Sequence, residues 1–152
     1  MVRIGGGHDP AALFRMLVVP MAEPFVLVYV LHSPRSGARA GRYQSPKMTV
    51  GELRLFLERF FPFLSTDARH DLWVLSPTEQ GAVLWDRHDL LTACGPLDHC
   101  SETLETLGFR DGNVSVPDPH RHAQDHTLDG EERDLLAALE GSWSELKPEE
   151  IE

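Results

Sequence analysis

Two cysteines and eight histidines are the side chains of this sequence that could hold a metal or act in nucleophilic catalysis. A structural zinc site needs four tetrahedral ligands, usually supplied as pairs at short spacings. Cys94 and Cys100 are not closely paired, His99 adjoins one of them, and the later histidines lie in a stretch that contains prolines. This spacing favours solvated histidines and half-buried thiols, so we expect no metal site and no cofactor. The later histidines are His120, His122 and His126.

A nucleophilic cysteine would need a lowered pKa, a nearby base and a third group that orients this base. Asp89 and Asp98 each adjoin a histidine, but neighbours in sequence seldom point at each other, and no catalytic signature accompanies them. The sequence therefore predicts no catalytic residues and no enzyme activity. The alternative is a small metal-dependent or thiol enzyme that uses Cys94, His99 and Cys100.

Charge and composition restrict the partners and the compartment. The chain has 152 residues and a formal net charge of −10 at pH 7. It lacks the basic footprint that binds a phosphate backbone, so direct nucleic-acid binding is not expected. Pro20, Glu23 and Pro24 interrupt the apolar run of residues 11–31, which leaves no segment to cross a membrane. Two cysteines cannot build a disulfide framework, so we expect an intracellular protein, nuclear or cytoplasmic, with an organellar location as an alternative.

The strands of the main domain, residues 24–116, follow from runs of β-branched and aromatic residues. Residues 25–31 are apolar at every position and predict a central strand. Return and later strands are expected near 42–44, 71–75 and 82–85, with a loop or short helix over 86–99. A one-turn helix that buries Leu104 and Leu107 precedes a closing strand that ends at Val116.

One long helix is predicted to cross this sheet. Thr49 and Glu52 have the spacing of a capping box. The helix that follows carries an apolar stripe at helical spacing, and Pro62 is expected to end it or bend it. The order of these elements predicts a two-layer α+β domain with a mixed sheet. The stripe consists of Leu53, Phe56, Leu57 and Phe60.

Three further segments are expected outside this domain: an N-terminal extension over 1–23, a linker over 117–128, and an acidic amphipathic segment over 129–152. The last segment predicts a docking helix that binds a partner, and the alternative is an intramolecular cap on the sheet. A helix this short is marginal alone in water, so its apolar stripe must be buried. The expected partner-binding residues are Leu135, Leu136, Leu139, Trp143 and Leu146.

The order of these motifs resembles that of ubiquitin-like (β-grasp) proteins, and more weakly that of the Sin3-associated 18-kDa polypeptide family. The resemblance spans about residues 24–116. Its motifs are Pro24-Phe25-Val26-Leu27-Val28, Gly41-Arg42, Phe61-Pro62, Ala68-Arg69, Gly81-Ala82-Val83-Leu84, and Leu104 to Phe109 followed by Asp111-Gly112.

The resemblance implies a non-enzymatic adaptor or scaffold subunit of a larger complex, possessing no chemistry of its own. In that family the partners belong to nuclear RNA-processing or corepressor assemblies. We expect a protein partner at the sheet face or at an exposed edge beside the strand over 25–31. A subunit of an organellar assembly is a further alternative.

Overall fold

The computed structural model describes residues 1–5, 7, 9–116, 118 and 120–151. Parts of the expected glycine leader and proline-containing linker, at Gly6, His8, Pro117 and Pro119, lie outside the described residues, as does Glu152. Within the described chain, no helix is both long enough and apolar enough to span a membrane.

The described residues form one sheet of seven strands, together with four α-helices, which confirms the α+β class. The strand order is β1-β6-β5-β4-β2-β3-β7. The strands are β1 (Val2–Gly5), β2 (Val26–Leu31), β3 (Gly41–Gln44), β4 (His70–Ser76), β5 (Gly81–Trp85), β6 (Leu90–Cys94) and β7 (Ser142–Ser144). The helices are α1 (Pro10–Val18), α2 (Val50–Thr66), α3 (Asp98–Thr106) and α4 (Asp129–Leu139), and 3₁₀ turns cover His126–Leu128 and Pro148–Glu150.

The sheet differs from the mixed, β-grasp sheet with one crossing helix that the sequence predicts. Every neighbouring pair of strands is antiparallel. The predicted closing strand does not form, because residues 109–116 have no regular structure. Strand β2 instead pairs with β4 on one side and with β3 on the other, so no exposed edge lies beside it. The β-grasp topology is therefore not confirmed.

The edges of the sheet come from the two ends of the chain. Strand β1 pairs with β6, and β7 pairs with β3, so segments that the sequence places outside the domain extend its sheet. Strand β6 forms where a loop or short helix is predicted, because Leu91 and Ala93 alternate into the core. Leu107, expected to be buried before the closing strand, is 45% exposed.

All four helices contribute to a single core on one face of the sheet. The buried cluster joins Phe14 of α1, Leu57 of α2, Cys100 of α3 and Leu135 of α4 to the alternating residues of the central strands. These strand residues include Leu27, Tyr29, Leu31, Leu72, Val74, Val83 and Trp85. Side chains alternate between the faces of a sheet, so the intervening residues point to the opposite side.

Helix α2 begins as the sequence predicts. The Thr49 hydroxyl accepts from the Glu52 amide at 3.2 Å, and the Glu52 carboxylate accepts from the Thr49 amide at 2.8 Å. The four residues of the predicted stripe are all buried. Pro62 does not end the helix, which continues to Thr66 because Phe63 and Leu64 are buried in its last turn.

Candidate functional sites

The sheet face opposite the helices carries two cross-strand rows of mainly apolar side chains, which we call the open face. One row runs from Val26 through Leu75 and Ala82 to Cys94, and the other from Val28 through Trp73 and Leu84 to Thr92. None of these residues belongs to the buried helix-side cluster. Apart from Val28, which is buried, all of them are half-buried.

The C-terminal turn lies over part of the open face, beside the row that contains Trp73, Leu84 and Thr92. Arg42 donates from Nε to the Glu150 carboxylate at 2.7 Å, and its guanidinium carbon is 5.0 Å from the centre of the Trp73 ring. A cavity lined by Trp73, Leu84, His88, Glu149 and other residues separates this turn from the strands. The row from Val26 to Cys94 does not line this cavity, so it is the part of the open face that the turn leaves uncovered.

The predicted partner-binding stripe over 129–147 does not exist as one helical surface. Helix α4 ends at Leu139, and Glu140 adopts a left-handed conformation with φ 51°, so Trp143 and Leu146 lie beyond the helix. Leu135 and Leu139 are 0% and 2% exposed within the core of the same chain, and Leu136 packs partly against it. These contacts match the intramolecular cap rather than a free docking helix.

Trp143 lies in the edge strand β7 rather than on a helix. Its indole N–H donates to the Ala40 carbonyl at 3.2 Å, and the Arg39 guanidinium carbon is 3.5 Å from the ring centre. Tyr43 is its cross-strand partner. The side chain is half-buried. Through its contacts with Ala40 and Arg39, the indole joins β7 to the loop before β3.

A buried ionic network joins α4 to the sheet. Arg69 is 0% exposed and donates to Asp67 (2.8 Å), Glu132 (2.6 Å), Asp129 (2.9 Å) and the Asp125 carbonyl (2.8 Å). Burial alone raises the pKa of Asp67, but the hydrogen bonds from Arg69 and from the Asp125 amide outweigh it and hold this pKa below its usual value. The Arg69 guanidinium therefore acts as the centre of a structural charge cluster.

The three residues of the thiol or metal alternative do not come together at one site. Cys94 belongs to the open face, whereas Cys100 is buried in the core on the other side of the sheet. His99 Nε2 lies 3.0 Å from the Leu17 carbonyl and 3.5 Å from Cys100 Sγ. Burial raises the pKa of Cys100 to about 11, so this thiol is not an activated nucleophile. The geometry therefore gives no support to a site built from Cys94, His99 and Cys100.

The structure instead groups three histidines that the sequence does not predict to meet. One nitrogen from each of His88, His120 and His122 lies within 4.8 Å of the others, and we call this group the histidine triad. The ring centres are 4.8 to 5.0 Å apart. Partial burial, followed by the nearby charges of His88 and Arg87, lowers the pKa of His122. The close spacing of His120 and His122 was the only sequence signal for this group, since His88 joins them through the fold.

The triad lines a cavity of about 220 Å³ between the β5–β6 turn and the segment before α4. The Asp86 carboxylate accepts from the amides of His88 (2.8 Å) and Leu90 (3.1 Å), which fixes the turn that carries His88. On the other side, the Ala68 amide donates to the Ala123 carbonyl at 2.7 Å. Hydrogen bonds therefore fix the turn that carries His88 and the segment that carries His120 and His122.

Fold and sites together define an antiparallel α+β protein with one helical layer. In comparisons with known proteins, no family model matches the chain, and neither a curated protein nor a solved structure gives a match. A functional proposal therefore depends on the geometry of the chain itself.

Proposed function

We propose that the chain is a non-enzymatic adaptor that binds a protein partner through the open face. The observation that supports this proposal is that the helices all pack on one side of the sheet, while the other side presents two mainly apolar rows. Apolar area of this kind, ringed by polar residues, is typical of protein interaction sites. A standard interface needs about 800 Å² from each partner, so we expect the partner to contact residues around the half-buried rows as well.

The charge of the chain favours a partner other than a second copy. Each chain carries a formal net charge of −10 at pH 7, so two copies repel each other at long range. Electrostatic complementarity speeds association and selects partners. We therefore propose a partner that has an apolar patch surrounded by basic residues.

The finer assignment, to a subunit of a nuclear RNA-processing or corepressor complex, rests on the family resemblance alone. A subunit of an organellar assembly is the alternative. Imaging of the tagged full chain distinguishes these two, because the first requires nuclear and the second organellar localisation.

Capture of partners by purified, immobilised full chain tests the adaptor proposal. Leu84→Glu places a charge in the centre of the open face, whereas Leu55→Glu places the same charge on the outer surface of α2, where Leu55 is 69% exposed. We expect wild type and Leu55→Glu to capture the same stoichiometric partner, and Leu84→Glu to lose it. Circular dichroism must show that both variants are folded.

Two results would contradict this proposal. The first is equal capture by both variants, which would place the partner elsewhere on the surface. The second is a dimer of the wild-type chain in sedimentation experiments that Leu84→Glu dissociates, because the open face would then bind a second copy.

A further inference from the structure

We propose that the histidine triad is a binding site for one Zn²⁺ ion, a function separate from partner binding on the open face. Imidazole nitrogen is a ligand that Zn²⁺ prefers, whereas Mg²⁺ and Ca²⁺ prefer oxygen. Three histidines also form a known type of zinc site, in which a water molecule or another ligand takes the fourth position.

The distances in the triad need only a small contraction to hold the ion. Zinc–nitrogen bonds of about 2.0–2.1 Å in a tetrahedron place ligand nitrogens about 3.3 Å apart. The present nitrogens lie within 4.8 Å of one another. His120 and His122 are exposed and His88 is half-buried, so rotation of the two exposed side chains can supply the difference without disturbing the core.

Hydrogen bonds already hold the backbone near His88 and His122, so few residues must become ordered when the ion binds. His88 lies in the turn that Asp86 fixes, and Oδ1 of Asp86 is 3.7 Å from His88 Nδ1. At this distance the carboxylate does not hydrogen-bond the ring, but its negative charge is close enough to favour a bound cation. His122 directly precedes Ala123, whose carbonyl is bound by the Ala68 amide.

Charges around the triad act in both directions. Arg87 adjoins His88 in sequence and Arg121 lies between the other two ligands, and their positive charges oppose cation binding. Asp71 and Asp86 supply negative charge on the β4 and β5–β6 side: Asp71 accepts from the Arg87 amide at 2.9 Å. The cavity beside the triad, about 220 Å³ in volume, leaves space for the water or small ligand that completes the coordination.

Zinc titration of the full chain, purified without a histidine tag, tests the site. We expect calorimetry to show one Zn²⁺ per chain, and Mg²⁺ to give no heat of binding. Loss of an outer partner of a zinc ligand weakens binding about 10–100-fold. Loss of a ligand itself must cost at least as much, so His88→Gln, His120→Gln and His122→Gln should each weaken zinc binding by about 100-fold or more.

His126→Gln is the matched control, because His126 lies in the same segment but outside the triad. We expect it to bind zinc with the wild-type affinity, and all variants to keep the wild-type melting temperature without metal. The proposal is overturned if wild type binds no zinc, if the triad variants bind it unchanged, or if His126→Gln weakens binding equally. Loss of zinc only in Cys94→Ser or Cys100→Ser would likewise overturn it.

Discussion

Glu132→Gln tests how strongly the buried network holds α4 to the sheet. The Glu132 side chain is 0% exposed, and one carboxylate oxygen accepts from Arg69 at 2.6 Å. The other oxygen accepts from the Ser36 hydroxyl at 2.5 Å and from the Ser36 amide at 3.3 Å. Glutamine keeps the shape of this side chain but removes its negative charge. Its NH₂ group must also face Arg69 or Ser36, which are both hydrogen-bond donors to Glu132.

The expected cost follows from the contacts that remain. Removal of one partner from a buried ion pair costs about 3–5 kcal/mol. Arg69 keeps Asp67, Asp129 and the Asp125 carbonyl, so we expect the lower end, about 3 kcal/mol in the free energy of unfolding. For a chain of this length, each kcal/mol lowers the melting temperature by about 2–4 °C, which gives a decrease of about 6–12 °C.

Glu131→Gln provides a control one residue away, with the same change of charge in the same turn of α4. Glu131 pairs with Arg59 at 2.7 Å on the surface, where the side chains are 32% and 51% exposed. An exposed pair contributes about 0–1 kcal/mol. Urea denaturation of both variants at pH 7 measures the difference. Equal loss of stability in the two variants would refute the assigned role of the buried network.

Three further predictions concern the core, the helix cap and the edge of the sheet. Burial lowers the pKa of His70 from 6.5 to about 4, so the unfolded chain takes up this proton first as the pH falls. The contribution of neutral His70 to the free energy of unfolding is therefore complete above pH 6.5 and decreases by about 3 kcal/mol by pH 4. Urea denaturation across this pH range should show that His70→Gln lacks this decrease. A variant with the same pH profile as the wild type would contradict the prediction. Thr49→Ala should lower stability by about 1 kcal/mol through loss of the helix cap, and an unchanged melting temperature would contradict this. A Cβ at Gly41 would overlap the indole of Trp143, so Gly41→Ala should expose β7 to limited proteolysis, whereas Gly112→Ala, which has open space around its Cβ, should not.

The elements that the sequence predicts correctly are those that local patterns determine. The strand over 25–31 is apolar throughout because β2 lies within the sheet, and the capping box between Thr49 and Glu52 needs no distant contact. Strands β1 and β7 have only four and three residues. Their pairing depends on β6 and β3, which lie far away in sequence, and no local periodicity reveals such partners.

The candidate sites depend even more on distant contacts. Alternation along each strand shows which side chains share a face. The rows of the open face can be predicted only when the strand order and the pairing register are also known. His88 meets His120 and His122 because the segment after α3 returns to the β5–β6 turn. Asp67 is close to Arg69 in sequence, but its other partners, Asp129 and Glu132 of α4 and the Asp125 carbonyl, are brought to it by the fold.

The energetics of α4 favour the intramolecular cap over the docking helix, and truncation of the chain tests this choice. Burial of one large apolar side chain contributes about 1.5–3 kcal/mol, so Leu135 and Leu139 together contribute about 3–6 kcal/mol. Loss of Asp129 and Glu132 would add the cost of a buried Arg69 that keeps only Asp67 as an acidic partner. A domain of ordinary stability has only about 5–15 kcal/mol in total, so a chain without residues 127–152 should unfold or aggregate rather than merely lose a partner. A truncated chain that keeps its circular dichroism spectrum and its melting temperature would restore the docking helix.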